Sequence, residues 1–262
     1  MRDVKTYLDI IYNKYKKKHS SKDPVWTLHE YSDPRDVEIL GLIISCFAYG
    51  RVDQINIFIR QILAKTSKNI YEFTLNFDHL KDKKHLEDLN YRFNNHYDLI
   101  SLIRNIQKAI ITNGSLEKTF LKHYNKKDEN IINGLDGFTN ELRKIKQKSS
   151  VAYDYLLPDV SKNSTCKRLN LYLRWMVRKD EIDLGIWGKN ISRSKLLIPV
   201  DTHVYKISRQ LNLVKRKSCD LKFAIELTKK LKEFDPADPV KYDFALCHIG
   251  IDKNKNSNEK DF

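Results

Sequence analysis

The segment Leu197-Ile-Pro-Val-Asp-Thr-His-Val204 decides the fold prediction, because it places the start of a helix in the chain. Pro199 restricts its own backbone and favours extended geometry at the residue before it. Asp is a preferred N-cap residue, so Asp201 is predicted to cap a helix that begins directly after it. The apolar residues that follow share one helical face: Val204, Ile207 and Leu211.

Two interpretations of Asp201 fit this pattern. Helix caps are common, and a cap alone explains an aspartate at this position. The second meaning is a carboxylate held at the mouth of a helix, where backbone N–H groups and the helix dipole favour its negative charge. Such a carboxylate can stabilise a cation that develops on a substrate. The spacing by itself does not choose between the two meanings.

Composition and charge set the class of protein. The chain has 262 residues, of which 41% are hydrophobic and 31% charged, as is typical of one large or two small globular domains. A net charge of +14 favours an anionic partner, with nucleic acid as the first candidate. An AT-rich coding sequence would also enrich lysine, asparagine and isoleucine. Charge alone therefore leaves the partner open.

The cysteine pattern argues against zinc ribbons and four-cysteine iron–sulfur clusters. The cysteines are far apart and form no CxxC pair: Cys46, Cys166, Cys219 and Cys247. This usage predicts a reduced, cytoplasmic protein, for which we expect no metal and no cofactor. The N-terminal segment has no apolar signal core, and no apolar run approaches the ~18 residues of a membrane span. We therefore expect no membrane partner.

The rest of the chain predicts helices and no convincing strand. A central buried helix is predicted from Asp36 to Gly50, because Asp33 can cap it and the positions after Asp36 are apolar on nearly every face. Other predicted helices lie at 3–18, at 53–65, from Ser115 to Tyr124, at 135–147, from Ser218 onward, and from Pro239 to Gly250. The fold class is all-α, and the charged tail at 253–262 is expected to be disordered.

The turn at residues 48–52 carries an aromatic residue, Tyr49, and a cation, Arg51. It joins the central buried helix to the predicted helix at 53–65. An aromatic ring beside a cation suits a tip that faces DNA. A solvated turn is the more usual meaning of the same residues, so both interpretations stay open.

Lys167 lies where a further helix is predicted to begin. If Ser164 is the cap, Lys167 is the third helical residue, and its charge opposes the helix dipole at a cost of about 0.3–1 kcal/mol. The same field favours the neutral amine that a nucleophilic lysine needs. The commoner explanation is a surface lysine beside a basic stripe, because Arg174 and Arg178 share its helical face.

The segment Pro199-Val-Asp-Thr-His-Val204 resembles the corresponding segment of the helix-hairpin-helix DNA glycosylases, which include endonuclease III-type and 8-oxoguanine DNA glycosylases. In that superfamily the Asp at the helix N-terminus is catalytic, and it corresponds to Asp201. Residues 242–250 resemble a late helix of the same superfamily, and the helix from Asp36 with its turn resembles an early one. These resemblances cover about half of the chain.

The run of residues 167–178, together with the Asp segment, resembles an uncharacterised bacterial family related to the archaeal 8-oxoguanine DNA glycosylases. The catalytic lysine of bifunctional glycosylases follows their hairpin closely, which corresponds to Lys167. Two features depart from the pattern. Residues 161–165 replace the glycine hairpin without a glycine, and residues 179–195 lengthen the separation of Lys167 from Asp201 relative to endonuclease III.

The resemblance implies a two-lobed helical DNA glycosylase-like fold with a degenerate helix-hairpin-helix. We expect a helical barrel lobe at 36–195 and a second lobe at 1–35 plus 196–252, with DNA lying across the cleft between them and a damaged base flipped into a pocket. The DNA-binding candidates are Tyr49, Arg51, Arg168, Arg174, Arg178 and His203. The candidates to line the pocket are Trp175, Trp187, Tyr205 and His203, although each also suits the core or scaffold.

The function that the resemblance implies is a base-excision repair DNA glycosylase with AP-lyase activity. It would act as a monomer in the nucleoid on double-stranded DNA that contains a damaged base, with an oxidised purine as one candidate. Lys167 would attack the sugar and Asp201 would stabilise the sugar cation. Two other classes stay open, namely a non-catalytic DNA-binding protein on the same scaffold and a helical interaction domain that binds no DNA.

Overall fold

The computed structural model describes residues 2–16, 22–66 and 69–258, and within this part of the chain the regular elements are helices. The only strand-like features there are two isolated bridges, Tyr91 with Asn94 and Lys179 with Leu184. The all-α prediction is therefore confirmed for the described residues. Short 3₁₀ segments lie between several of the helices.

The chain divides into two units by its internal contacts, a central unit at 22–162 and a terminal unit that joins 1–21 to 163–262. The central unit contains α2 (Pro34–Cys46), α3 (Val52–Thr66), α4 (Ile70–Asn76), α5 (His96–Asn113), α6 (Leu116–Leu121), α7 (Ile132–Leu142) and α8 (Tyr153–Leu156). The terminal unit contains α1 (Arg2–Tyr15), α9 (Lys167–Val177), α10 (Thr202–Gln210), α11 (Leu221–Lys232) and α12 (Tyr242–Asn258).

This division differs from the lobes expected at 36–195 and at 1–35 plus 196–252. The difference at the C-terminal side has a chemical cause, because α9 is bonded into the terminal unit through two arginines. Arg174 bonds Asp243 of α12, and Arg178 bonds Asp238 in the segment before it. At the N-terminal side, the 3₁₀ segment Pro24–Glu30 packs on α2 and therefore belongs to the central unit.

Helix α2 is the buried helix of the central unit, and its start agrees with the prediction. Asp33 caps it through the Arg35 N–H, and Pro34 opens it. Two buried carboxylates on this helix receive backbone donors from other helices. Asp36 accepts the Tyr71 N–H at 2.7 Å, and Glu38 accepts the N–H groups of Leu116 and Glu117 at the start of α6. These bonds satisfy charges that would otherwise be costly to bury.

Several helix ends differ from the predicted ones for local reasons. Asp220, rather than Ser218, caps α11, because its carboxylate accepts the Phe223 N–H at 3.0 Å. Helix α12 continues through Gly250 to Asn258, and residues 259–262 of the predicted disordered tail lie outside the described residues. Residues 17 and 18 of the first predicted helix lie outside them too. Helix α7 ends at Leu142, before the predicted end at 147.

Gly250 has a packing function in the terminal unit rather than a helix-ending one. A Cβ at this position would lie 2.7 Å from both the Cβ and the Nδ1 of His203. The absence of a side chain therefore lets α12 approach the first turn of α10 closely. This approach brings the N-terminus of α10 against the middle of α12.

Candidate functional site

Asp201 is the N-cap of α10, as predicted. Its backbone is extended, and its Oδ1 accepts the Val204 N–H at 2.8 Å. The Cys247 Sγ of α12 lies 3.9 Å from the other oxygen, Oδ2. Asp201 is half-buried, and its carboxylate is contacted by two helices, α10 and α12.

Lys167 is the first residue of α9, whereas the sequence placed it third. The N-cap is Cys166, which adopts a left-handed backbone with φ of 48° and makes no side-chain cap hydrogen bond. Ser164, the expected cap, instead accepts the Cys166 N–H at 3.2 Å. Lys167 is half-buried and lies in the first turn of α9, at the positive end of the helix dipole.

The turn before α9 acquires its sharp shape without glycine. Asn163 and Cys166 both adopt left-handed conformations, with φ of 60° and 48°. Asn is one of the few residues with a side chain that tolerate this region. The Asn163 carbonyl accepts the Leu221 N–H at 3.0 Å, and its Nδ2 donates to Asp220 at 3.3 Å. The turn is therefore attached to the N-terminus of α11.

Asp243 is a buried carboxylate of α12 that bonds Arg174 of α9, and it lies one turn from Cys247, which contacts Asp201. Burial raises the pKa of Asp243 to about 7, the nearby Arg174 cation opposes this rise, Asp201 adds to it, and the Lys167 ammonium lowers it. The contacts of α12 connect the two predicted catalytic helices, because Asp243 bonds Arg174 of α9 and Cys247, one turn later, contacts Asp201 at the start of α10.

Sequence reasoning missed Asp243 and Cys247 as members of this cluster. A signal was present, because Asp243 lies in an otherwise apolar stretch of its helix, and a carboxylate there needs a buried partner. Which partner it finds depends on how α9 and α10 pack on α12. One sequence does not reveal that packing.

Arg174 and Arg178 were predicted to bind DNA, and their environment corrects this. Both side chains are only 3% exposed, and both guanidinium groups bond carboxylates of the terminal unit. Arg174 donates to Asp183 at 3.2 Å and to Asp243. A buried guanidinium that is bonded to carboxylates cannot also bind a phosphate, so these two arginines stabilise the unit instead.

Arg178 is the centre of this buried network. Its Nε lies 3.0 Å from both oxygens of Asp238, and its Nη1 donates to Asp180 at 2.6 Å and to Asp183 at 2.7 Å. Its Nη2 donates to the hydroxyl of Tyr12, which ties α1 to the same group. Burial raises the pKa of Asp183, against the opposing effect of the two arginines.

The remaining predicted residues of the terminal unit have different environments. Trp175 and Trp187 are fully buried, so they belong to the core rather than to a pocket wall. Arg168 is buried as well, which argues against the predicted DNA contact. His203 is half-buried and packs against Gly250. The half-buried Tyr205 donates its hydroxyl proton to the Lys217 carbonyl at 2.5 Å.

Tyr49 and Arg51 lie in the central unit, where Tyr49 belongs to an aromatic cluster that the sequence did not predict. The cluster is Tyr49, Tyr91, Phe93 and Tyr155. Phe93 and Tyr155 are 47% and 45% exposed, and their ring centroids are 4.7 Å apart in an edge-on arrangement. Tyr49 stacks on Phe93 at 5.3 Å. Exposed rings of this kind suit partners with flat apolar faces.

Hydrogen bonds hold the aromatic cluster in place. The Tyr49 hydroxyl donates to the Asn94 side chain at 2.5 Å, and the Tyr91 hydroxyl donates to the Tyr49 carbonyl at 2.5 Å. Two exposed cations lie beside these rings. The guanidinium carbon of Arg92 is 5.9 Å from the Tyr49 ring centroid, and Arg51 is in the turn that Tyr49 opens. The exposed rings of Phe93 and Tyr155 therefore pack on a Tyr49 ring that is held in place, and the cluster has a basic border.

Among the described residues, no three histidine, cysteine or acidic side chains are grouped as a metal site would require. In the same part of the chain, each helix is too short or too polar to cross a membrane.

Residues 23–252 match the model of a family described as a protein of unknown function, DUF2400. Because the match spans most of the chain, the chain belongs to this family. No curated protein and no solved structure matches it.

Proposed function

We propose that this DUF2400 protein is a base-excision repair DNA glycosylase with AP-lyase activity, in which Lys167 and Asp201 cleave the N-glycosidic bond of a damaged base. One observation carries the proposal. The two residues that resemble the glycosylase catalytic pair lie at the N-termini of α9 and α10, and both helices contact α12 within one turn, α9 through Arg174 to Asp243 and α10 through Asp201 to Cys247. If Asp201 were only a helix cap and Lys167 only a surface lysine, their two helices would not need to meet at the same part of α12.

In the proposed reaction Lys167 is the nucleophile. Its neutral Nζ forms a bond to the anomeric carbon C1′ while the N-glycosidic bond breaks, and the bonding electrons leave with the base, which takes a proton from solvent. Nζ then loses a proton as the C1′–O4′ bond opens, O4′ is protonated, and an imine joins Nζ to C1′. Loss of a C2′ proton expels the 3′ phosphate and cleaves the strand.

Asp201 supplies negative charge where the sugar develops positive charge. The Val204 N–H fixes its Oδ1, so the carboxylate does not need to reorient when the sugar cation forms. A preorganised charge of this kind is among the larger contributions to enzyme catalysis. Its half-buried position leaves a path by which a substrate can approach.

The aromatic cluster supports DNA as the partner. Exposed aromatic rings stack on unpaired bases, and such stacking contributes about 1–3 kcal/mol per base. Phe93 and Tyr155 present the rings, and Arg51 and Arg92 present charges for the flanking phosphates. We assign these four residues to DNA contact in the central unit.

A non-catalytic DNA-binding protein is the second candidate function. The observation that favours it is that Asp201 already has a structural task, because it caps α10. A scaffold that had lost catalysis would keep this cap for folding. DNA binding would then persist without any release of a base.

The test is an assay on duplexes that each contain one damaged base, including 8-oxoguanine opposite each normal base. Purified protein is expected to release a base from at least one duplex and to nick the strand without alkali. Asp201→Asn serves as the control for contaminating enzymes, because it keeps the cap and removes the charge. Tight DNA binding without base release over the whole panel would establish the non-catalytic alternative.

A further inference from the structure

The loop that joins α10 to α11, residues 211–220, lies in a strongly basic stretch of the terminal unit. Residues 206–226 contain six basic and two acidic side chains. Four of the lysines are exposed: Lys206, Lys215, Lys217 and Lys222. We call these four residues the lysine set. Within the described residues, none of their ammonium groups forms a salt bridge, in contrast to the buried arginines of α9.

The loop is ordered by its own side chains and is not a solvated tether. Leu213 and Val214 are buried and anchor its first half. The Tyr205 hydroxyl donates to the Lys217 carbonyl, which ties the tip of the loop to α10. Arg216 donates through two nitrogens to Asp220, the cap of α11. The backbone that carries Lys215 and Lys217 is therefore held in a defined shape.

This surface is bonded to both elements that carry the proposed catalytic residues. Asp220 accepts from the Asn163 side chain, in the turn that leads into α9 and Lys167. The Tyr205 hydroxyl, one turn after Asp201 on α10, donates to the Lys217 carbonyl. The basic loop is thus tied to the turn before α9 and to the first turns of α10.

A group of ammonium ions without carboxylate partners creates a field that attracts a polyanion. Lysine acts as a point charge and suits a repeating phosphate chain, which places one charge after another along a surface. The two acidic residues of this stretch reduce the field only in part, because Asp220 is already bonded to Arg216. A backbone of linked phosphates therefore fits the surface better than a single anionic group.

We propose that the lysine set binds the phosphate backbone of the DNA strand next to the lesion. The identity of the polyanion as DNA rests on the proposed function, whereas the existence of a phosphate-binding surface does not. The assignment also replaces Arg174 and Arg178, which sequence reasoning had chosen as the phosphate contacts. Exposed lysines of the loop take the place of those buried arginines.

The test measures the dissociation constant of undamaged duplex DNA over a range of salt concentrations. We compare the wild type with Lys215→Gln/Lys217→Gln and with a matched control, Lys229→Gln/Lys232→Gln, at the far end of α11. Each phosphate contact contributes about 0.9 to the slope of log affinity against log salt. In the loop variant we expect the magnitude of this slope to decrease by about 2, which is roughly 1 per lysine. In the control variant the slope should stay almost unchanged.

A charge-conserving variant, Lys215→Arg/Lys217→Arg, guards against changes in folding and must keep the wild-type slope. An unchanged slope in the glutamine variant, or an equal loss in the α11 control, would overturn the proposal. Binding to phosphatidylserine vesicles without binding to DNA would also overturn it, since the polyanion would then be a membrane. The proposed glycosylase function is tested separately from this phosphate-binding surface, because base release by the wild type is measured on damaged duplexes.

Discussion

Cys247 Sγ lies 3.9 Å from Asp201 Oδ2, and this contact joins the middle of α12 to the N-terminus of α10. The other oxygen of Asp201 accepts the Val204 N–H. The carboxylate is therefore positioned from two sides, by its own helix and by α12. Gly250 allows this approach, because a side chain there would collide with His203.

Asp201→Asn is expected to lower base release on the order of 10²–10³-fold, as for the loss of other preorganised electrostatic groups. Asn caps helices as well as Asp does, so the free energy of unfolding should change by no more than roughly 0.5 kcal/mol. Kinetics on a damaged duplex and urea denaturation measure the two effects. Asp33→Asn, which alters the cap of α2, is the matched control and should leave base release unchanged. Equal losses of stability and activity in Asp201→Asn would make Asp201 a plain cap.

Lys167 is expected to become covalently attached to damaged DNA when borohydride is present, because hydride reduces the imine to a stable amine. Lys167→Arg keeps the positive charge but cannot supply a neutral amine, so it should abolish both trapping and strand cleavage. DNA affinity should stay within about twofold, since the charge is conserved. Gel shift of the trapped product provides the measurement.

Lys179→Arg is the control for trapping, because Lys179 is exposed just beyond the other end of α9. Undiminished trapping in Lys167→Arg would assign the nucleophile to another amine, with Lys162 and Lys179 the next to test. Base release without any trapping in the wild type would mean that Asp201 acts with water alone.

Asp243 should make stability depend on pH. Burial raises its pKa from 3.8 to about 7 in the native protein, so between these values the native state keeps a proton that the unfolded chain releases. Its contribution to the free energy of unfolding is complete below pH 3.8 and is lost as pH rises through 7, by on the order of a few kcal/mol. Denaturation at several pH values should show the wild type losing stability relative to Asp243→Asn as pH increases.

Asp33→Asn is the control for the pH experiment. A hydrogen bond from the Arg35 side chain lowers the pKa of Asp33, so this group stays ionised above pH 4 and should add no pH dependence across the window. A stability difference between wild type and Asp243→Asn that stays constant, or that grows in favour of the wild type with pH, would contradict a protonated Asp243.

Arg178→Met should cost about 3–5 kcal/mol of stability, because it removes the guanidinium that bonds Asp180, Asp183 and Asp238 and leaves Asp183 with Arg174 alone. Chemical denaturation measures the loss. Lys189→Met removes an exposed cation from the same unit and should change stability by less than about 0.5 kcal/mol. If Arg178→Met is as stable as wild type but binds DNA less tightly, Arg178 is a DNA contact after all.

Phe93→Ala and Tyr155→Ala should each weaken the binding of DNA with an unpaired base by about 1–3 kcal/mol. Their effect on thermal stability should be small, since both rings are close to half exposed. Fluorescence anisotropy and thermal unfolding give the two readouts. Ile111→Ala, at a 70% exposed apolar residue on α5, is the matched control and should leave DNA affinity unchanged. A loss in the control equal to that in the aromatic variants would remove the cluster from DNA binding.

Local chemistry made much of the fold predictable from the sequence. Asp33 with Pro34, Ser115 and Asp201 all mark helix starts that the structure has, because a short polar side chain that accepts backbone N–H groups acts over three residues. The all-α class was predictable as well, because the spacing of apolar residues along one helix is also a local property of the sequence. Lys167 was correctly placed at a helix start, and only its position within the first turn differed.

Tertiary structure alone decided which charged groups are buried and which groups meet. Arg174 and Arg178 look like a basic stripe in the sequence, and only the packing of α9 against the carboxylates of α12 and its preceding segment removes them from solvent. Cys247 meets Asp201 because Gly250 admits a close helix crossing. The spacing of apolar residues along one helix predicts which face of that helix is buried. The element that packs against this face depends on contacts between residues far apart in the chain. The sequence determined the helical class and the caps of α2, α6 and α10, and the long-range packing determined which residues meet.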